Sequence, residues 1–437
     1  MLSYNMKKII FIELNELNFD IIKKYILKFP NKFKNLKKIS KKLIYTKSEI
    51  EYDLLEPWIQ WVTVHTGLSA EEHKIFRLGD FVKSNKKQYF EEIESLGYKV
   101  GAISPMNSVN RLKNPSYFIP DPWTNTKTDK SSTSKLINTV LKSTVNSNAQ
   151  NKIGFKNYIY ILFLLFKFIR LKNLSLYLKY FFSSLSQKWY RPLFLDLFLN
   201  DIHYKLLNKK NVNFSTIFFN AGAHIQHHYF FNSLAGLNLI KNPEIKVKKN
   251  LDPFKETLIL YDKILDDYMD NNNFRVILAT GLTQLPSKKK EYYYRLNNHN
   301  SFFKSAGLKF KEIHPRMSRD FLVEFNNDKD RNKFFESIYK LRLNKKLIFG
   351  IIDKRKKSLF ISLTYDNEIT QDDFVIIKNN KIDIFSSVSF VSLKNGIHNS
   401  KGFLYLDKPI KKFLKIKNKS IELRKINPFV KKIFSDK

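Results

Sequence analysis

Four polar clusters combine acids, amides and histidines at spacings that suit metal or acid–base chemistry. They are Glu13-Leu-Asn15, the run from Glu56 to His65-Thr66-Gly67, the segment Asn220-Ala-Gly-Ala-His224-Ile-Gln-His227-His228, and the late Asn395-Gly-Ile-His398 with Gly402 four residues on. Three histidines within five residues suggest a metal site, because imidazole is the commonest protein ligand for zinc-like cations. His224 and His228 are four apart and share one helix face, whereas His227 points elsewhere. The same side chains serve equally well as hydrogen-bonded members of a polar cleft, and spacing alone leaves both readings open. Two further clusters bring cations, one ending at Arg111 and one holding Arg316 and Arg319 within the stretch His314 to Asp320. Arginine forks match carboxylate and phosphate groups, although the same forks also pair with acids to hold loops together.

These residues need elements to carry them. KKIIFIEL, from Lys7 to Leu14, reads as a buried strand ending in an acid, and a helical pattern follows from Phe19 to Phe29. KVGAI at Lys99, STIFF at Ser215 and RVILA at Arg275 read as further strands. Each follows a helical pattern and leads into small or polar residues, so the expectation is βαβ units and a mainly parallel central sheet flanked by helices. Sites in such sheets lie beyond the carboxyl ends of the strands, where the four clusters fall. Residues 126–151, rich in Ser, Thr, Asn and Lys, read as a mobile linker. Residues 153–207 read as two or three amphipathic helices that either cap the main domain or lie in a membrane interface, with Trp189 and Tyr190 at its boundary. The expected division is a core of residues 1–125 and 212–437, with a linker and helical cap insertion at 126–211. Residues 347–406 read as an antiparallel portion near the sheet edge.

Composition narrows the partners. The chain has 437 residues, 77 Lys or Arg against 40 Asp or Glu, and a formal net charge of +37. Most of those cations are Lys, the poorer reader of bases and phosphates, and no nucleic-acid recognition motif accompanies them, so specific nucleic-acid binding is not expected. A surface drawn to anionic lipid or a polyanionic substrate is the functional alternative to a merely solvated one. The absence of cysteine excludes disulfides, thiolate metal sites and a cysteine nucleophile. No secretory signal is read at the start, and no apolar run reaches the roughly 18 residues that span a bilayer. The expected setting is cytoplasmic, with contact at the inner face of the membrane as its peripheral variant.

The order of the clusters resembles the alkaline phosphatase superfamily, nearest to the type I phosphodiesterase/nucleotide pyrophosphatase branch and its sulfatase-like relatives. HTGLSAEEHKI from His65 is similar to that family's TGL turn, AHIQHHYF from Ala223 to its Asp-His-Ile-Gln-His segment, NGIHNSKG from Asn395 to the loop that supplies a late histidine ligand, and INPFVKKIF to its closing helix. The resemblance spans nearly the whole chain and implies an alkaline-phosphatase-like α/β fold with divalent metal ions. It implies an acid after the first strand, a Thr or Ser nucleophile about ten residues before the TGL turn, an Asp-x-x-x-His pair, an Asp-His pair and the late histidine. This chain departs from that pattern. Glu56 and Pro57 occupy the nucleophile position, Ala223 replaces the acid paired with His227, and Thr280-Gly-Leu-Thr283-Gln284 follows the strand where Asp-His belongs.

On that basis Glu13, His227 and His398 are assigned as ligands of one divalent metal, Zn or Mn. Glu56 and His224 are assigned to catalysis, with Glu56 as general base. Asn15, Arg111, His228, Arg316 and Arg319 are assigned to substrate binding. The expected activity is hydrolysis or transfer at a phosphate, phosphodiester or sulfate ester of an anionic small-molecule, glycan or lipid-linked substrate. The competing expectation is an impaired pseudo-enzyme that binds an anionic ligand in the ancestral cleft.

Overall fold

A computed structural model describes residues 7–49, 51–150, 155–236, 240–316, 319–411 and 419–435. It divides into two compact units, the second built mainly on Lys288–Lys394. The first unit carries strands β1 (Lys8–Leu14), β2 (Ile44–Lys47), β3 (Val100–Ile103), β4 (Tyr117–Ile119), β5 (Phe214–Phe219), β6 (Phe274–Ala279), β7 (Thr283–Pro286), β8 (Gly396–Asn399), β9 (Lys401–Leu406) and β10 (Ser420–Glu422). Eight of them form one sheet in the order β10-β2-β9-β6-β1-β5-β3-β4. Only β9 runs against the others. The remaining two, β7 and β8, pair antiparallel as a short ribbon.

The helices that matter to the site are α1 (Phe19–Lys28), α2 (Pro57–Thr66), α3 (Phe155–Phe168), α4 (Leu174–Ser186), α5 (Tyr190–Lys209), α6 (Ala221–Tyr229), α7 (Pro253–Leu265) and α8 (Ile426–Ser435). They cover both faces of the sheet, which is why the central strands are apolar at almost every position. In β1, Ile10, Ile12 and Leu14 enter a core that also holds residues of α1, α5 and α7. Ile9 and Phe11 enter the opposite core, with α2 and α8. The expected mainly parallel sheet flanked by helices is therefore present, with strand ends within a residue of those read from the sequence.

Parts of the sequence reading need correction. Residues 132–150 of the supposed linker form a helix, Ser132–Gln150; residues 151–154 lie outside the described ones. The helices α3 to α5 pack on the main domain, as the cap reading has it: Leu164, Phe168, Tyr180 and Leu193 sit in the same core as β1. Trp189 and Tyr190, expected at a membrane boundary, are buried and stacked 3.7 Å apart. The part of the chain that does form its own unit is 288–394, with a four-stranded antiparallel sheet and an aromatic core around Phe303, Phe321, Phe334 and Phe349. The antiparallel strand β9 is third from one edge of the large sheet.

A buried ion cluster ties the inserted helices to the core. Arg170, between α3 and α4, donates through Nε to Asp201 at 2.7 Å and through both terminal nitrogens to Asp267 at 2.9 and 2.5 Å. Asp201 and Asp267 are both buried. Removing the guanidinium leaves two carboxylates without their main compensation, so Arg170→Leu should cost about 3–5 kcal/mol in urea unfolding. Lys23→Ala, which breaks only the exposed pair with Asp20, should stay within about 0.5 kcal/mol of the parent. Similar losses in the two variants would show that the cluster does not anchor the insertion.

Candidate functional site

The parallel register sets the stage. Glu13 of β1 lies beside Phe218 of β5 and Ala279 of β6, so the three strands end together and release their next residues on one edge. That edge receives the turn Asn15–Asn18, the start of α6, and the segment from Thr280 into β7. The amide of Asn15 donates to the Phe219 carbonyl at 3.1 Å, and the amide of Glu16 donates to Thr280 at 3.0 Å.

Glu16 is the centre of the site. It has φ 59°, a left-handed conformation uncommon for a side chain of this kind, and its carboxylate is 1% exposed. Oε2 lies 3.1 Å from Nε2 of His227 and 3.3 Å from Nε2 of His398. Asn15 Nδ2 donates to Oε1 at 3.1 Å, and Gln284 Nε2 donates to Oε2. Burial opposes the charge, but the two histidines more than offset it and hold this carboxyl well below the usual range. Ligand atoms of Glu16, His227 and His398 all lie within 4.8 Å of one another. A carboxylate and two imidazoles form a donor set suited to one Zn- or Mn-like cation, and Glu16 already has supporting donors behind it.

Each ligand is positioned by a different element. His398 sits on β8, opposite Gln284 of β7. Gly396 is required there, because a Cβ would come within 1.9 Å of Gln284 Oε1. His227 projects from α6, whose Gln226 donates to the Glu16 carbonyl at 3.0 Å. The first turn of α6 is held by Asp196 of α5, which accepts from the amides of Asn220 at 3.3 Å and Ala221 at 2.8 Å and from the Tyr261 hydroxyl at 2.8 Å.

Glu56, at the N-terminus of α2, makes no cap bond with its side chain and lies with Oε2 3.8 Å from Nδ1 of His398. His398 thus faces one carboxylate across each ring nitrogen. His224 and His228 pair with each other on another face of α6, ring centroids 4.7 Å apart, as their spacing requires. Burial, reinforced by His227, pushes His224 down to about 4, and burial with His224 pushes His228 well below its ordinary value.

The assigned residues therefore separate. His227, His398 and Glu56 come together. Glu13 does not join them as the acid: it faces the opposite core, where it accepts from Thr216 Oγ1 at 2.7 Å and Tyr89 Oη at 3.1 Å and lies 3.2 Å from Nε2 of His65. Glu16 takes the position beside the histidines. Asn15 is buried, bracing Glu16 and accepting from Trp61 Nε1 at 2.7 Å, and so holds the turn instead of facing a substrate. Arg111 is spent on loop closure, donating to the carbonyls of Lys86 and Ser84. Arg316 and Arg319 belong to the second unit, where Arg319 stacks over Tyr293 at 4.8 Å. Sequence reasoning missed Glu16, Gln284 and Asp196. The repeated Glu-Leu-Asn of residues 13–18 was the available signal for the first, since it offers two acids three residues apart.

The fold and site define an α/β protein with a single-cation donor set beyond the carboxyl ends of parallel strands. A comparison with solved structures returns matches of low identity over nearly the whole chain. Phosphonoacetate hydrolase from Sinorhizobium meliloti 1021, solved with phosphonoformate, is 9% identical with a TM-score of 0.41, covering 98% of this chain and 95% of that one. Murine ectonucleotide pyrophosphatase/phosphodiesterase 5 is 9% identical with a TM-score of 0.40 over the same shares. Alkaline phosphatase PafA is 11% identical with a TM-score of 0.41, covering 96% of this chain and 94% of that one. A scan of protein-family models found no match, and neither did a search of curated proteins. At these identities and TM-scores the likeness says nothing about chemistry, which has to come from the chain's own residues.

Asp196 gives the support of α6 a pH signature. Burial outweighs its hydrogen bonds and pushes its carboxyl up to about 7. A raised acid stabilises the fold fully below its unfolded value near 4 and loses that contribution as pH rises through about 7. Asp196→Asn should therefore gain on the parent between pH 4 and 8, by on the order of 3 kcal/mol. Urea midpoints across that range provide the check, and parallel curves for the two proteins would refute it.

Proposed function

We propose that Glu16, His227 and His398 hold one divalent cation, Zn or Mn, and that the cleft binds and cleaves or transfers an anionic ester of the phosphate, phosphodiester or sulfate type. The observation that carries this reading is the convergence of one buried carboxylate and two imidazoles, from three distant segments, within bonding reach of a single ion. The motif order along the sequence supports the ester class. The cation's part would be to polarise and neutralise an ester oxygen. The rest falls to the chain's own residues. Glu16, fixed by Asn15 and Gln284, supplies the anionic ligand without reorganisation. Glu56 faces His398 Nδ1, which orients the ring and keeps Nε2 turned toward Glu16. About a third exposed and at a helix N-terminus, Glu56 is also suited to take a proton from an attacking hydroxyl, from water or from an acceptor substrate. No side-chain hydroxyl occupies its position, so the reading favours direct transfer over a covalent ester on the chain.

A second reading, an anion-binding pseudo-enzyme, is favoured by one observation. Gln284 stands where the resemblance places an acid-histidine pair, and it is spent on Glu16. That removes ligands for a second ion, and two-ion catalysis with them.

Metal analysis tests the common part. Protein purified without chelator and reconstituted with Zn²⁺ or Mn²⁺ should hold about one equivalent, falling at least about tenfold in Glu16→Gln and His398→Ala. A parent that retains no ion, or variants that retain it, would overturn the site. Turnover of bis-p-nitrophenyl phosphate separates the two readings. An enzyme should lose about 100-fold or more in Glu56→Gln, whereas a pseudo-enzyme should show no turnover to lose.

A further inference from the structure

The helices α3 and α4 are apolar on two faces. One face is buried: Leu164 and Phe168 of α3, and Tyr177 and Tyr180 of α4, belong to the core. The other face lies in solvent. On α3 it presents Leu162, Phe163 and Phe166, the last 92% exposed. On α4 it presents Leu178, Phe181, Phe182 and Leu185, the last 71% exposed, and Leu171 in the turn between the helices is 87% exposed. The α4 positions recur at helical spacing, so they form a stripe and not scattered single residues. A soluble surface seldom keeps so many large apolar groups together without a partner.

The charge around this face says which partner. Residues 130–195 contain eleven Lys or Arg and no Asp or Glu, in a chain that otherwise carries 40 acids. Lys156, Lys167 and Lys188 are exposed beside the apolar positions. Arg170, Lys172 and Lys179 of this segment pair with Asp201, Asp267 and Glu256 from other elements; large apolar side chains beside the remaining exposed lysines match an anionic lipid surface, whose headgroups take the cations while the acyl boundary takes Phe and Leu. Among the described residues no helix is long and apolar enough to cross a membrane. We infer that α3 and α4 dock the protein in the plane of an anionic bilayer, through the face bearing Phe163, Phe166, Phe182 and Leu185. This docking is independent of the cation site.

Vesicle flotation tests it with the full chain. Vesicles of phosphatidylcholine with about a third phosphatidylglycerol should carry the protein at least about tenfold more strongly than phosphatidylcholine alone. A measurable part of the binding should survive about 0.5 M NaCl, because it is apolar. Phe163→Asp/Phe166→Asp/Phe182→Asp should abolish flotation while keeping the parent's thermal melt. If that variant misfolds, Leu178→Asp/Leu185→Asp on α4 alone should give the same loss. Chelator should leave flotation unchanged, which separates this outcome from the fate of the metal reading. Equal binding to neutral vesicles, binding that survives the substitutions, or a dimer in light scattering that the substitutions dissolve would each overturn the proposal.

Discussion

The site depends on keeping a carboxylate charged where water cannot reach it. Glu16 is buried, and an isolated buried carboxylate carries a desolvation penalty of several kcal/mol that only close partners offset. Its partners are Asn15 from the same turn, Gln284 from β7, His227 from α6 and His398 from β8. Residues separated by nearly four hundred positions must therefore meet at one oxygen. The left-handed backbone at Glu16 belongs to the same constraint, since it turns the chain at the end of β1 and brings this side chain among them. A proton shared with an imidazole satisfies the charge, and so does a cation held by neutral imidazoles. The two would compete for the same nitrogen lone pairs, so a cation proposed for this site would have to displace that proton.

The sheet makes the meeting possible. In-register parallel strands end at a common edge, and three of the four histidine- or acid-bearing clusters lie at the end of β1, after β5 and on the β7–β8 ribbon. Glu56 arrives from α2, which packs on the other face of the sheet, and reaches the same edge because it precedes the helix. The amide scaffolding is equally specific. Gly396 has no side chain, since Gln284 and the Gln226 carbonyl fill the space where one would lie.

This fold was legible because parallel strands covered on both faces read as unbroken apolar runs, and the runs at Lys8, Val100, Phe214 and Phe274 are such strands. His224, His227 and His228 were legible because they follow the apolar strand β5, whereas Glu56 and His398 were legible from the order of the motifs. The choice between Glu13 and Glu16 was not. Each opens a Glu-Leu-Asn triplet, and what separates them is which residue still belongs to the strand and which to the turn. Glu13 remains in β1 with the parity of Ile9 and Phe11, so it faces the core shared with α2 and α8 and meets His65, Tyr89 and Thr216. The helix at Ser132–Gln150 was hidden by its Ser, Thr and Asn content, which suits turns as well as a helix whose polar side faces water. The separate unit at 288–394 was hidden because its strands are short and antiparallel and interrupt the core sequence between β7 and β8.

Glu56 carries the remaining chemical question, and its surroundings limit the answers. It stands one residue before a helix that opens with Pro57, so the helix end favours its negative charge while leaving its side chain unbonded to the first-turn amides. A carboxylate in that position is a weak nucleophile toward an anionic ester, and an acyl phosphate on it would be a strained, easily hydrolysed link. Proton transfer fits better. His398 lies between Glu56 and Glu16, 3.8 Å from one and 3.3 Å from the other, so charge gained at Glu56 is felt at the ligand nitrogen through a single ring. The longer of the two gaps exceeds a direct hydrogen bond. Glu16 is thus the buried acid of the site and Glu56 the partly exposed one, with one imidazole between them.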